Sequence, residues 1–214
     1  MLARWSTLLG ILCFSVCAQA QTRTLAVYPG DVRTLDSIAA HSLQVELQRV
    51  LTPAGIHVAM QPQGPPSGSD EFQLLVVSSF QGDCSVNTLP IQRTVAVRSK
   101  PLADTSVSRG QVLPYFQVDC SRIIGILSPA LERLSIPMRQ MIFGRALARV
   151  MAHEIYHIVA HTTTHDASGI AKASLSLEEL TATTFDLTPA SLHRMQPSFS
   201  PAIPRGALAA VMPR

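Results

Sequence analysis

The sequence predicts an α+β fold, an α/β sandwich in which a small mixed β-sheet packs against an N-terminal helix and a second, longer helix. Short β-prone runs bounded by Pro, Gly and Ser residues are typical of strands. Apolar residues recur at helical intervals across residues 37–51, which indicates the first helix. Pro137 is suited to a first helical turn, and no further proline follows before Thr162, so a long second helix is expected there.

Five runs predict the strands of the sheet, and these are residues 24–28, 56–60, 72–80, 94–98 and 115–118. The third run is almost continuously apolar, as expected of a buried strand, whereas the last two alternate weakly and suggest positions near a sheet edge. Pro53-Ala54-Gly55 ends the first helix, and residues 61–70 and 99–111 are predicted loops. Residues 161–176 are rich in turn formers, and a shorter helix follows them.

The first twenty residues have the features of a secretory signal peptide: a basic residue near the start, a short apolar run, and the small-x-small sequence Ala18-Gln19-Ala20. The apolar run is too short to span a bilayer, which takes about 20 residues. We therefore expect cleavage after Ala20, a secreted or periplasmic location and no stable membrane anchor. Residues 21–187 then form one domain, and residues 188–214, which contain five prolines, form an extended tail.

Two of the four cysteines lie in the predicted signal peptide, which leaves Cys84 and Cys120 in the exported domain. In an oxidising compartment this pair predicts one disulfide bond. The formal net charge is only +3, and the chain has no basic run and few aromatic residues. A nucleic-acid partner is therefore not expected.

Histidine is scarce in this chain except in one stretch. Four of the seven histidines recur at intervals of four residues, and these are His153, His157, His161 and His165. The first two form the motif HExxH with Glu154, inside the predicted long helix. Residues four apart share a helix face, so their two imidazoles can bind one Zn²⁺. Glu154 would accept a proton from a zinc-activated water, whose pKa the ion lowers toward about 7, and it is the predicted general base.

A catalytic zinc site needs a third protein ligand. His161 lies eight residues after His153, about 12 Å away along a continuing helix, which is too far for both to bind one ion. Thr162-Thr163-Thr164 is a β-branched run that disfavours further helix. The chain can therefore turn back and present His165, which is the expected third ligand.

Two acidic residues remain alternatives for the third ligand. Glu178 lies on the next predicted helix, where Ser176 and Glu179 have the spacing of a capping box, so a carboxylate is stabilising there without a metal. Asp166 follows His165 directly, in a position where a turn-forming aspartate is also expected. No spacing selects a residue that would stabilise an oxyanion; the available side chains are Tyr115, Tyr156, Lys172 and His193.

The run HEIYHIVAHTTTHDASGI resembles the pattern HExxHxxxxxxxHxxxGI of small secreted bacterial zinc peptidases related to the metzincins. Upstream, ELQRVLTPAGIHV is similar to the helix, turn and strand that precede the sheet in such proteins. The resemblance implies a zincin-like fold with His153, His157 and His165 as zinc ligands and Glu154 as the catalytic base.

Three positions depart from the standard metzincin pattern, with Ala160 at the glycine, Thr163 at the third histidine and Ala171 at the turn methionine. That methionine supports the base of the metal site without binding the ion. We expect a secreted zinc metallopeptidase, an endopeptidase acting on a peptide or protein substrate. One alternative is a catalytically silent zinc-binding or interaction protein of the same fold. A second alternative is an interaction protein tethered to the envelope by its uncleaved leader.

Overall fold

The computed structural model describes residues 22–30, 35–61, 72–88 and 101–196. Its strands are β1 (Arg23–Pro29), β2 (Ile56–Met60), β3 (Leu74–Gln81), β4 (Ala103–Ser108) and β5 (Gln111–Asp119). Its helices are α1 (Ser37–Leu51), α2 (Cys120–Leu131), α3 (Ile136–Val159), α4 (Leu177–Thr181) and α5 (Pro189–Arg194). The predicted signal peptide, the predicted strand at residues 94–98 and almost all of the predicted loop at 61–70 lie outside the described residues.

One five-stranded mixed sheet has the strand order β2-β1-β3-β5-β4. The first four of these strands are parallel to their neighbours, and β4 pairs antiparallel with β5 at the sheet edge. Helices α1 and α3 pack against each other and against the sheet. The predicted α+β fold is therefore confirmed.

The first helix and the strand after it form where the sequence predicts them. Buried apolar side chains, among them Leu43, Leu47 and Leu51, recur at intervals of four along α1 and face the core. The helix gives way to the short 3₁₀ turn Thr52–Ala54, and Gly55 takes the left-handed conformation with φ 69° that lets the chain enter β2.

The predicted loop at residues 99–111 is wrong, because it contains β4 and the turn into β5. Arg109 and Gly110 both have positive φ, 50° and 78°, and Ser108 pairs with Gln111 across them. Two central residues with positive φ make the tight turn that matches the twist of a two-stranded hairpin. This hairpin places β4 at the edge of the sheet, where it also contacts α3.

Two helices were not foreseen. The sequence patterns predict no element for residues 120–131, which form α2, with Asp119 accepting a hydrogen bond from the Arg122 amide at its N-cap. The extended tail predicted for residues 188–214 is wrong at its start, where α5 forms. Pro189 occupies the first turn of α5, where its missing N–H costs nothing, and the Thr188 side chain caps the helix. Residues 197–214 lie beyond the part of the chain that the structure describes.

The predicted disulfide between Cys84 and Cys120 is confirmed, with the two Cα atoms 5.0 Å apart. Cys84 follows β3, and Cys120 opens α2 directly after β5. The bond therefore ties the start of α2 to the end of β3. Among the described helices, none has the length and apolarity needed to cross a membrane.

Close contact between α1 and α3 depends on Gly144. A Cβ added at Gly144 would lie 2.1 Å from the carbonyl oxygen of Ala39, a backbone atom that cannot move by itself. We expect Gly144→Ala to lower the free energy of unfolding by about 1–3 kcal/mol, because overpacking outweighs the gain in helix propensity. Urea unfolding measures this, and Gln44→Ala, at an exposed position of α1, should change stability by less than about 0.5 kcal/mol. Unchanged stability of Gly144→Ala would mean that the helices can separate at no cost.

Candidate metal centre

The long helix α3 carries His153 and His157 one turn apart near its C-terminal end. Their ring centroids are 4.7 Å apart, and their Nε2 atoms are separated by 3.0 Å. The side of α3 that bears His157 is buried, and this residue is 6% exposed. The helix therefore holds two imidazoles with their Nε2 atoms turned toward one point.

Backbone carbonyls fix the orientation of both rings. His153 Nδ1 lies 2.8 Å from the carbonyl oxygen of Ile170, and His157 Nδ1 lies 2.7 Å from that of Thr162. A carbonyl oxygen only accepts, so each Nδ1 carries the proton and donates it. In the neutral rings both Nε2 atoms then present lone pairs to each other, an arrangement that a bound cation would stabilise.

Burial keeps these two rings in the form that binds metals. Desolvation lowers the pKa of His153 to about 4, against the smaller raising effect of its hydrogen bond to Ile170. Burial also lowers the pKa of His157. Both imidazoles are therefore neutral at neutral pH, and neutral imidazole is the form that ligates a metal ion.

The chain reverses after α3 and brings His165 to the same place. His161, at φ 48°, takes the left-handed conformation just past the helix end, and the Thr162 amide donates to the carbonyl of His157. The ring of His165 then lies 4.8 Å from that of His157 and 5.2 Å from that of His153, centroid to centroid. The predicted reversal at the threonine run is confirmed.

The three histidines form a group that could hold a metal ion, with one ligand nitrogen from each lying within 4.8 Å of the others. Zn–N bonds of about 2.0–2.1 Å in a tetrahedral site place ligand nitrogens about 3.3–3.4 Å apart. The His153–His157 pair, at 3.0 Å, is close to that spacing. The ring nitrogen of His165 lies no more than 4.8 Å from the other two, so a bound ion would need only a small inward shift of this third ring.

None of the other predicted ligand candidates belongs to this group. His161 and Glu178 are exposed, and the carboxylate of Asp166 accepts hydrogen bonds from side chains of the C-terminal segment. The predicted capping box is present, with Ser176 and Glu179 each bonding to the other's backbone amide. Of the described residues, only the three histidines offer a metal site with more than two side-chain ligands.

Glu154 lies next to His153 on α3 and is 5% exposed. Its carboxylate accepts a hydrogen bond from the hydroxyl of Thr105 on β4. Burial raises the pKa of Glu154 to about 7; the negative charge of Asp104 adds to this rise, and the hydrogen bonds from Thr105 oppose it. A carboxyl group whose pKa is close to the ambient pH is suited to accepting and returning a proton.

His153 and Glu154 line one cavity of about 1080 Å³. Its apolar wall comes from Leu102, Ile126, Val150 and Leu175, and its cationic side chains are those of Arg122 and Lys172. Ile126 belongs to α2 and Leu102 directly precedes β4, two elements that the sequence did not predict. The cavity is large enough to receive part of a peptide chain.

The four side chains considered as oxyanion donors lie in different places. Tyr115 shares a hydrogen bond with Ser79, His193 is exposed on α5, and the hydroxyl of Tyr156 accepts a hydrogen bond from Arg194. Only Lys172 lines the cavity, and its ammonium group forms an ion pair with Glu179 at 2.6 Å. No sequence spacing would have distinguished Lys172 from the other three.

Sequence reasoning missed Thr105, which holds the carboxylate of Glu154. The signal that could have found it is the run Thr105–Val107 followed by Arg109-Gly110, since β-branched residues before a two-residue turn with glycine predict a hairpin. The residues of α5 that bind Asp166 also escape sequence reasoning, because a proline-rich composition predicts an extended chain there.

Comparison with known proteins gives no information about the family or the activity of this chain. No protein-family model matches this chain, and searches of the curated proteins and of the solved structures return no match. The resemblance of HEIYHIVAHTTTHDASGI to metzincin-like peptidases therefore stays a prediction from those residues. The histidine group, its orientation by backbone carbonyls and the cavity beside it are the observations on which a functional conclusion must rest.

Proposed function

We propose that this chain is a secreted zinc metallopeptidase, an endopeptidase of the metzincin-like kind that its HExxH motif resembles. One observation carries the proposal. The Nε2 atoms of His153 and His157 face each other at 3.0 Å, while both Nδ1 atoms are engaged by backbone carbonyls. With His165 beside them, one ring nitrogen from each of three histidines lies within 4.8 Å of the others, next to a buried glutamate.

The donor set fits zinc. Three histidines leave one position of a tetrahedral ion open, as in catalytic zinc sites, and imidazole nitrogens suit Zn²⁺ better than Ca²⁺ or Mg²⁺, which take oxygen ligands. His153, His157 and His165 would hold the ion. Zinc bound there would polarise a carbonyl group and lower the pKa of a coordinated water toward about 7.

The protein's own groups account for the proton transfers. Glu154 would accept a proton from a water molecule in the cavity and could pass it to the leaving amine. The Thr105 hydroxyl fixes the orientation of the carboxylate before substrate arrives, so the proton acceptor is positioned. The low exposure of Glu154 limits the number of water molecules that can reach the carboxylate.

Export is supported by the signal peptide expected from residues 1–20 and by the disulfide between Cys84 and Cys120, since such bonds persist in oxidising compartments. The substrate is proposed to be a peptide or protein that enters the cavity as an extended segment.

Metal analysis of the purified protein tests the site. We expect wild type to retain about one zinc per chain after dialysis, and His157→Ala and His165→Ala to lose most of it, because two nitrogen ligands bind zinc much more weakly than three. Glu178→Ala is the matched control and should keep wild-type zinc content, since Glu178 is exposed and lies outside the histidine group. Zinc loss in Glu178→Ala, or full zinc content in His165→Ala, would contradict this ligand set.

A second candidate is a zinc-binding protein without catalytic activity. It is favoured by the placement of the oxyanion candidates, three of which lie away from the cavity while Lys172 is paired with Glu179. It is also favoured by the buried Ala171, which stands where metzincins have their turn methionine. Both candidates predict zinc binding, so they differ in turnover and in the effect of changing Glu154.

A further inference from the structure

The third histidine is held differently from the other two. His153 and His157 each have a ring nitrogen bonded to a backbone carbonyl, whereas the exposed ring of His165 has no hydrogen-bond partner among the described residues. Residues 162–165 belong to no helix or strand. The orientation of His165 toward the other rings therefore depends on how the adjoining backbone is fixed.

That backbone is fixed at the next residue, Asp166. Its amide donates to the carbonyl of Ala171 at 2.9 Å, and it forms an isolated bridge with Lys172. Its carboxylate accepts hydrogen bonds from the hydroxyls of Thr188 and Ser191 and from the guanidinium of Arg194. The side chain of Asp166 is only 9% exposed as a result.

Thr188, Ser191 and Arg194, which we call the α5 clasp, come from the N-cap and the body of the C-terminal helix. Ser191 is fully buried, whereas the side chain of Arg194 is 41% exposed. An exposed ion pair contributes little to stability on its own. The buried hydroxyl of Ser191 is therefore the strongest single contact of the clasp. Arg194 also donates to the hydroxyl of Tyr156 on α3, the residue beside His157.

Helix α5 is anchored to the domain independently of Asp166. Met195 is fully buried, and its carbonyl accepts a hydrogen bond of 2.6 Å from Arg23 at the start of β1. The amide of Ile170 donates to the carbonyl of Asp186, two residues before the clasp begins. Burial of Met195 and the bond between Ile170 and Asp186 keep α5 against the domain even when the Arg23 bond is absent, so the helix can hold Asp166 and the turn that presents His165.

We propose that the α5 clasp positions His165 for metal binding and thereby sets the affinity of the site. The proposal rests on the metal site of the proposed function. The clasp residues are positioning residues, because they act through Asp166 and bind no metal themselves. Zinc binding would fix His165 against the other two rings, and a turn already held near its bound position loses less conformational freedom when this happens.

Competition with a chromophoric chelator measures the zinc Kd. We expect Ser191→Ala to raise the Kd about tenfold, because groups that orient a ligand typically contribute 10–100-fold and this one acts one residue away. Arg194→Gln should raise it by a smaller factor, since the buried hydroxyls remain, and Arg194→Lys should restore part of the loss. Arg194 is partly exposed, so its variants keep the test valid if Ser191→Ala does not fold.

The control is Arg23→Gln, which loosens the same helix at Met195 without touching Asp166. It should lower thermal stability and leave the zinc Kd unchanged. The visible spectrum of the Co²⁺-substituted protein adds a readout that a purely structural role would not move: in Ser191→Ala it should shift toward the spectrum of His165→Ala.

Two results would overturn the inference while leaving the metal site intact. One is a wild-type zinc Kd and Co²⁺ spectrum in both Ser191→Ala and Arg194→Gln. The other is an equal loss of affinity in Arg23→Gln, which would make the effect a general loosening of α5. If wild type itself bound no zinc, the proposed function would fail together with this inference.

Discussion

Glu154→Gln is expected to lower kcat for peptide hydrolysis by about 10²–10⁴-fold, the range typical of removing a general base. Glutamine keeps the size of the side chain and can still accept a hydrogen bond from Thr105, but it cannot take a proton from water. Zinc content should stay at the wild-type value because Glu154 is not one of the three ligands. Steady-state cleavage of a fluorogenic peptide mixture, together with metal analysis of the same samples, measures both quantities.

Glu178→Gln makes the same chemical change at an exposed position and should leave kcat unchanged. If wild type binds zinc and cleaves no peptide, the protein is the silent zinc-binding form instead. If wild type cleaves peptides and Glu154→Gln cleaves them equally well, another group accepts the proton. Peptide cleavage by wild type, lost in Glu154→Gln and kept in Glu178→Gln, therefore distinguishes the metallopeptidase from the silent zinc-binding protein.

Unfolding of the metal-free protein shows whether Glu154→Gln still folds. Burial raises the pKa of Glu154 from 4.5 to about 7, so the folded state holds its proton more tightly than the unfolded chain does. The associated stability is fully present below pH 4.5 and is lost as the pH rises through 7. Glutamine does not titrate, so Glu154→Gln does not lose this stability as the pH rises. At pH 8 the variant should therefore be at least as stable as metal-free wild type.

The central part of this site could be predicted from the sequence because it is local. The spacing of His153 and His157 on one helix fixes their separation, and the threonine run that follows explains the chain reversal. The capping box of α4 is another local pattern, and it predicts a structural role for Glu179 that the structure confirms. Patterns of this kind need no knowledge of the rest of the fold.

The parts that could not be predicted depend on distant contacts. The hydrogen bond from Thr105 to Glu154 joins residues 49 positions apart. The link between Asp166 and Ser191 needs α5 to fold, and its short sequence has no long apolar periodicity. Helix α2 contains Pro129 near its end and follows β5 without a loop, so no turn signal marked its beginning. The sequence therefore predicts the histidine group, whereas the surroundings of the site depend on tertiary structure.

One such distant contact connects α3, the helix that carries His153 and His157, to α1 and α4. Arg149, one turn before His153 on α3, is fully buried, and its Nε donates to Glu46 of α1 at 2.8 Å. The rest of its guanidinium donates to three backbone carbonyls at the end of α4, those of Glu179, Leu180 and Ala182. Burial would raise the pKa of Glu46, but hydrogen bonds from Arg49 and Arg149 lower it overall, so the carboxylate is ionised at neutral pH.

Arg149→Met is expected to lower the free energy of unfolding by about 3–5 kcal/mol, because removing one partner of a buried ion pair leaves the other partner and its acceptors without compensation. Urea unfolding measures this loss. Arg49→Met is the matched control: Arg49 is 35% exposed and contacts the same Glu46, so its removal should cost no more than about 1 kcal/mol. Since Arg149 also holds α4 against α3, the Arg149→Met variant should bind zinc more weakly wherever it remains folded. A loss no larger than that of Arg49→Met would show that α3 and α4 stay together through apolar packing alone.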